Sequence, residues 1–176
     1  LALAGGATRC VDLGGRAVTI RADISKRAEL LALFDAVDQE FGRLDVLVNN
    51  AGIVGRAGRL DAADPDMIEE VVTLNTTATI LAAREAVRRM STRHGGPGGV
   101  IVNVSSVASS VGGAGEYVWY AASKGAVDSF TVGLAREVAD EGIRVVAVSP
   151  GLVETEIHAS GGQPDRVERI SPLIPM

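Results

Sequence analysis

Cysteine is nearly missing from this chain: Cys10 stands alone among 176 residues. That excludes an intramolecular disulfide framework and is the usage expected of a reducing compartment, the cytoplasm by default. Aromatic residues are almost as scarce at 3%, so a core must be built mainly from aliphatic side chains. Excess positive charge is lacking too. The formal net charge is −5, which offers no basic patch for a nucleic-acid backbone. Arg84, Arg88, Arg89 and Arg93 group together, but at a spacing that reads as a solvated helix face. No apolar run approaches the roughly eighteen residues of a membrane span, and no basic segment followed by an apolar core marks a signal peptide. Two histidines, His94 and His158, lie far apart and without a cysteine or carboxylate cluster, so no metal site is expected.

What the chain does have is enough length for one domain and a real core, with 47% apolar residues arranged in alternating periods. Residues 1 to about 13 read as the tail of a helix stopped by Gly14-Gly15. Arg16 to Asp23 reads as a strand, and Ser25 as the N-cap of a helix in which Leu30, Phe34, Val37 and Phe41 recur at helical spacing until Gly42. Leu44 to Val48 is a second strand, followed by a glycine-rich loop to about Ala63. Asp64-Pro65 opens a long helix with an apolar stripe of Met67, Val71, Leu74, Ala78 and Leu81, interrupted by Asn75. The run His94 to Gly99 is a connector by composition. Val100 to Ser105 is a third strand, and a small-residue loop from Val107 to Glu116 leads into the helix carrying Tyr120, which continues to about Asp140. Ile143 to Ser149 is a fourth strand. This alternation predicts an α/β fold: a parallel sheet covered on both faces and joined by right-handed crossovers, Rossmann-type and doubly wound, with residues 1–176 forming a single partial domain.

Scarcity also points to the chemistry. There are only two lysines, Lys26 and Lys124, against fifteen arginines, and only two tyrosines, Tyr117 and Tyr120. Tyr120 and Lys124 are four residues apart, about one helical turn, which puts both side chains on one face. A free tyrosine titrates near pH 10, so a base working at neutral pH needs its ionised form stabilised by roughly 4 kcal/mol for about three pH units. An ammonium about 4 Å away supplies about 4 kcal/mol at an effective dielectric near 20, and desolvation opposes it. An isolated Tyr-x-x-x-Lys reads first as an ordinary aromatic-plus-charge pair on a surface helix, so the neighbouring segments must overturn that reading. Ser105-Ser106 ends a strand, at the carboxyl edge where ligands of open α/β sheets bind. Another strand ends in Asn49-Asn50-Ala51-Gly52, and the last in Ser149-Pro150-Gly151, with Thr155 four residues on.

An Asn-Asn-Ala-Gly turn, an asparagine, a serine, Tyr-x-x-x-Lys and Pro-Gly-x-x-x-Thr occur here in that order. From about Arg16 to Met176 the chain therefore resembles the short-chain dehydrogenase/reductase family. The resemblance implies an oxidoreductase using NAD or NADP, which moves hydride between nicotinamide and a carbonyl or secondary alcohol carbon. By that resemblance Tyr120 is the general acid/base, Lys124 lowers its pKa and anchors the ribose, and Asn75 helps hold a water in the proton relay. Ser106 would bind the substrate oxygen, with Ser105 as the alternative. An oxidised nicotinamide beside the phenol would add a second cation. Asp23 would contact the adenine amino group and Ile24 would wall the adenine, while the residues alone allow Asp23 to cap the next turn. Asn50, Ala51 and Gly52 would approach the ribose, and Asn49 would tie the sheet. Pro150, Gly151, Val153 and Thr155 would border the nicotinamide, with the start of the substrate loop at 151–176. Val146 departs from the family, which usually has asparagine there.

One hallmark is missing. No Thr-Gly-x-x-x-Gly-x-Gly phosphate turn follows a first strand: Gly5-Gly6 continues as Ala-Thr-Arg-Cys, and Gly52, Gly55 and Gly58 follow the wrong strand. The chain is accordingly expected to be an internal fragment of a family member. A second reading stands beside the enzyme: a catalytically inactive truncated fragment or non-enzymatic scaffold unable to bind cofactor. A serine–lysine hydrolase would need a Gly-x-Ser-x-Gly elbow, which Ser105-Ser106 lacks. The substrate and the choice between NAD and NADP stay open. The small residues of the long helices suggest that the complete protein is a homodimer or homotetramer assembled through Met67 to Arg93 and Tyr117 to Asp140.

Overall fold

The structure, a computed structural model, describes residues 11–174. Cys10, Gly5-Gly6 and most of the first expected helix lie outside the described residues. Three β-branched runs form a parallel sheet: β1 (Val46–Asn49), β2 (Gly99–Val104) and β3 (Ile143–Val148), in the order β1-β2-β3. The register sets Leu47 beside Ile101 and Val145, and Val48 beside Val102 and Val146. Side chains alternate across a sheet, so Leu47, Ile101, Ile143 and Val145 share one face, and Val46, Val48, Val146 and Val148 share the other.

Both crossovers step the same way across the sheet, and right-handed connections then put their helices on one face. The first crossover carries α2 (Pro65–Val72) and α3 (Ala78–Met90), and the second carries α5 (Val118–Glu137). Ala78, Ala82, Ala83, Ala86 and Met90 press on Ile101, Ile143 and Val145, and the small side chains let α3 sit close to the strands. Outside α3 lies α1 (Arg27–Phe41), whose Leu30 and Phe34 complete the core. Fully burying a side chain the size of Leu30 or Phe34 contributes about 1.5–3 kcal/mol relative to exposure. Arg89 pins α1 to α3: it donates to Asp38 at 2.8–3.0 Å and to Glu85 at 3.1 Å, and its guanidinium stacks over Phe34 at 5.1 Å.

Several expectations need correction. Arg16 to Asp23 forms no strand, because a strand needs a neighbour for its backbone groups and β1 pairs only with β2 among the described residues. Arg16 instead bonds the Glu40 carboxylate at 2.6 Å and stacks over Phe41 at 5.2 Å. The sheet is covered on one face rather than two: Val46 and Val48 remain 54% and 56% exposed. Ser25 is not the cap of α1. That position falls to Lys26, with no side-chain cap bond, while the Ser25 hydroxyl donates to Asp23. The loop from Val107 contains a one-turn helix, α4 (Ala108–Val111). Arg89, read with Arg84, Arg88 and Arg93 as part of a solvated helix face, is instead engaged between α1 and α3. Two end signals meet their structures. Asp64 caps α2 by accepting from the Asp66 N–H at 3.0 Å, with Pro65 at the first helical position, and Gly42 closes α1 in the left-handed region at φ 68. No helix among the described residues is long and apolar enough to cross a membrane.

Candidate active site at the carboxyl edge of the sheet

Because the three strands are parallel and adjacent, their carboxyl ends deliver Asn50 to Gly52, Ser105-Ser106 and Pro150 to Thr155 to one place. Backbone bonds join the last two: the Ser105 N–H donates to the Val148 carbonyl at 2.8 Å and the Val107 N–H to the Pro150 carbonyl at 3.1 Å. α5 brings Tyr120 and Lys124 against the same edge. The result is a cavity of about 760 Å³, lined among others by Asn50, Gly52, Ser105, Ser106, Tyr120, Lys124, Pro150, Gly151, Val153 and Thr155. That is a size typical of small-molecule sites.

Lys124 is almost fully buried, and its Nζ donates to the Val104 carbonyl at 2.7 Å and stands 5.8 Å from the centre of the Tyr120 ring. Burial pushes its pKa below the usual lysine value, opposed by the Asp128 carboxylate. Burial likewise raises Tyr120 above the usual tyrosine value, opposed by a hydrogen bond with Ser106. The two serines differ in their commitments. Ser105 is buried and donates to the Lys124 carbonyl at 3.3 Å, a structural tie. Ser106 faces the phenol and accepts from the Ala108 N–H at 3.2 Å.

Asn75 does not line the cavity but braces it. Between α2 and α3 the chain widens into a π-helical turn, Thr73–Thr77, and Thr79 Oγ1 donates to the Asn75 carbonyl at 2.9 Å. Such turns recur at functional sites. The Asn75 side chain, 1% exposed, accepts from the Ile53 N–H at 2.9 Å and donates to the Ile53 carbonyl at 2.8 Å and to Ser123 Oγ at 3.0 Å. Ser123 in turn donates to the Tyr120 carbonyl at 2.7 Å. Gly52 lets the turn come this close: a Cβ there would stand 3.0 Å from Asn75 Oδ1 and 3.5 Å from Lys124 Nζ. Trp119 Nε1 fixes the next stretch by donating to the Val54 carbonyl at 2.9 Å.

The other expected residues are more dispersed. Asn49 donates to Asn103 at 2.9 Å, and Asn103 donates to Thr131 at 2.9 Å, so this pair ties β1 to β2 and to α5. Ala51 lies next to the lining without joining it. Asp23 and Ile24 stand apart from the cavity. Asp23 accepts from the Ser25 N–H at 3.1 Å and from its hydroxyl at 2.6 Å, which holds its carboxyl below the usual range, and Ile24 packs on the core. Sequence reasoning missed Ser123, Trp119 and Asn103 as supports. Ser123 lies inside the quoted Tyr-Ala-Ala-Ser-Lys run, and Trp119 is the single tryptophan.

Comparison with known proteins gives this geometry a lineage. Residues 2–165 match the family model for short chain dehydrogenase. An uncharacterized oxidoreductase of Escherichia coli (strain K12), YgfF, is 52% identical over 163 residues, covering 93% of this chain and 66% of that protein. A short-chain type dehydrogenase/reductase from Mycobacterium marinum superposes with a TM-score of 0.90 at 30% identity, covering 99% of this chain and 67% of that one. A short chain dehydrogenase from Burkholderia cenocepacia J2315, solved in complex with NADP, gives a TM-score of 0.80 at 35% identity, covering 92% of this chain and 62% of that one. The chain thus spans about two thirds of the length of the E. coli relative. With the ordered motifs, the parallel sheet and these matches together, the chain belongs to the short-chain dehydrogenase family.

Proposed function

We propose that this chain carries the catalytic half of an NAD- or NADP-dependent oxidoreductase acting on a carbonyl compound or secondary alcohol. The observation that carries the proposal is the meeting of Ser106, Tyr120 and Lys124 in one cavity at the carboxyl edge of the sheet. The residues fit a nicotinamide at that edge: Asn50 and Gly52 line one side of the cavity beside Lys124, and Pro150, Gly151, Val153 and Thr155 form the adjoining wall. Bound there, the nicotinamide would exchange a hydride with the substrate carbon.

The chain's own part is proton transfer and positioning. Ser106 orients the substrate oxygen toward the phenol. Tyr120 gives up its proton to that oxygen in reduction and takes one back in oxidation. Its raised pKa keeps the phenol protonated at neutral pH, which suits a general acid. As a base it needs more positive charge than Lys124 alone supplies, and an oxidised nicotinamide carries that charge. Asn75 Oδ1 and Lys124 Nζ flank the same point beside Gly52, an arrangement suited to relaying a proton through one water. Asn50, Ala51 and Gly52 would receive the ribose. Asp23 and Ile24, which hold a turn and pack on the core, remain proposed adenine contacts on resemblance alone. We place all of this in one domain, 1–176, and assign the small residues of α3 and α5 to contact with a second copy.

The test is titration of the 176-residue chain with NADH and NADPH, followed by nicotinamide fluorescence and thermal unfolding. Saturable binding with a raised Tm is the expected outcome. A folded chain that binds neither supports instead the reading as a scaffold that keeps the catalytic residues without the activity.

A further inference from the structure

The segment after β3 folds over the cavity as two short helices, α6 (Ile157–Ser160) and α7 (Arg166–Ile170). It is fastened at two points. The Gly161 carbonyl accepts from the Ala57 N–H at 3.1 Å, and Gly161 sits so close to Val54 that a Cβ would meet its Cγ2 at 2.7 Å. The second fastening is Arg166. Its Nη1 donates to the Glu116 carboxylate and to Gln163 Oε1 at 2.8 Å, and its guanidinium lies over the Tyr117 ring at 4.9 Å. Glu116 and Tyr117 immediately precede α5, one turn before Tyr120, so Arg166 couples the covering wall to the helix that carries the phenol.

The wall offers the cavity little that would recognise charge. Ile157, Ile170 and Ile174 line it together with Val54, Val111 and Leu152, and His158, which also lines it, has its Nε2 within 2.8 Å of the Val153 carbonyl. Of the two fixed cations at the lining, Arg166 is already ion-paired with Glu116 and Lys124 is bonded to the Val104 carbonyl. An anionic group entering here would lose its water and find a guanidinium already engaged, and a sugar would leave hydroxyls unpaired against isoleucine. An apolar ring or chain meets no such cost.

Building on the oxidoreductase reading above, we propose that the substrate is a carbonyl compound or secondary alcohol with an uncharged, apolar body, and that Arg166 determines this specificity. With Glu116 and Tyr117 it holds the aliphatic wall of 157–174 at the base of the Tyr120 helix.

The single tryptophan supplies the probe. Trp119 is buried and bonded to Val54, a lining residue. The chain, with and without NAD, is titrated with 2-decalone, 4-oxocyclohexanecarboxylate and fructose while Trp119 fluorescence is followed. The proposal expects saturable binding of decalone and at least about tenfold weaker binding of the other two. Arg166→Ala weakens decalone binding by about tenfold or more. Arg166→Lys recovers little of it, because an ammonium does not stack as a plane over the Tyr117 ring. Circular dichroism checks the fold, and Glu116→Gln weakens the same ion pair should Arg166→Ala not fold. Where turnover is measurable, KM for decalone rises more than kcat falls. Tighter binding of the keto acid that Arg166→Ala abolishes would overturn the proposal, since the guanidinium would then be reading an anion. Unchanged decalone affinity in the variants overturns it too, as does no saturable response to any ligand. The equilibrium signal needs no hydride transfer, so the substrate class and the oxidoreductase reading can fail separately.

Discussion

Burial acts on both tyrosines of this chain. Tyr117 and Tyr120 are each raised above the ordinary tyrosine value, chiefly by loss of solvent, with Arg166 opposing at Tyr117 and Ser106 at Tyr120. Above the ordinary value near 10 and below the raised folded value, the native chain keeps protons that the unfolded chain has released. The tyrosines therefore contribute stability that is complete below that window and is lost as pH rises through it. Lys124 works in the opposite sense. Its pKa is lowered, so between that value and 10.5 the unfolded chain holds the extra proton and stability rises with pH. The chain has no other tyrosine, so ultraviolet titration of tyrosinate reads these two sites directly. The folded chain is predicted to ionise at higher pH than the same chain in denaturant. A folded midpoint at or below the denatured one would contradict the burial argument. The phenol and its lysine were legible in sequence because their chemistry is scarce here. Desolvation is the expected opponent of the ammonium, and burial does raise Tyr120. The spacing says nothing of the Val104 carbonyl that engages Lys124.

At the scale of elements, the π-helical turn between α2 and α3 is the feature on which the site depends. It aims Asn75 at both backbone groups of Ile53 and at Ser123. Asn75→Ala strands these partners, at about 1–3 kcal/mol for each buried group left unpaired. The variant is predicted to lose about 2–4 kcal/mol in chemical denaturation and to exchange the Ile53 amide hydrogen faster than wild type. A loss under about 0.5 kcal/mol, within the range of surface changes, would remove the turn from this account. Asn75 was visible in sequence as a break in an apolar stripe, but its partners, 22 and 48 residues away, were not. The same limit explains Arg16 to Asp23. Its composition suits a strand, but a strand is a partnership, and no neighbour for it stands among the described residues. β3 was read almost to its observed bounds because Gly142 and Ser149-Pro150 frame a run rich in β-branched residues. The Glu116–Arg166 pairing spans 50 residues and left no local trace.

At the scale of the molecule, the sheet has a finished face and an open one. Helices cover Leu47, Ile101 and Val145, while Val46, Val48, Val146 and Val148 stay 44–56% exposed. On α5, a Cβ at Gly125 or Gly133 would meet no atom within 4 Å, which leaves room for close approach by a second helix. Light scattering of the full-length protein at micromolar concentration is predicted to give a dimer or tetramer, and a monomer would count against assembly through these helices. The central claim concerns proton transfer at Tyr120, and kinetics of Tyr120→Phe in the full-length protein test it most directly. The substitution keeps the ring and removes the hydroxyl that carries the acidic proton and bonds Ser106. The account predicts a fall in carbonyl reduction of at least about 10²-fold, with nicotinamide affinity retained. Turnover equal to wild type at the same cofactor occupancy would contradict it and move the chemistry to another group.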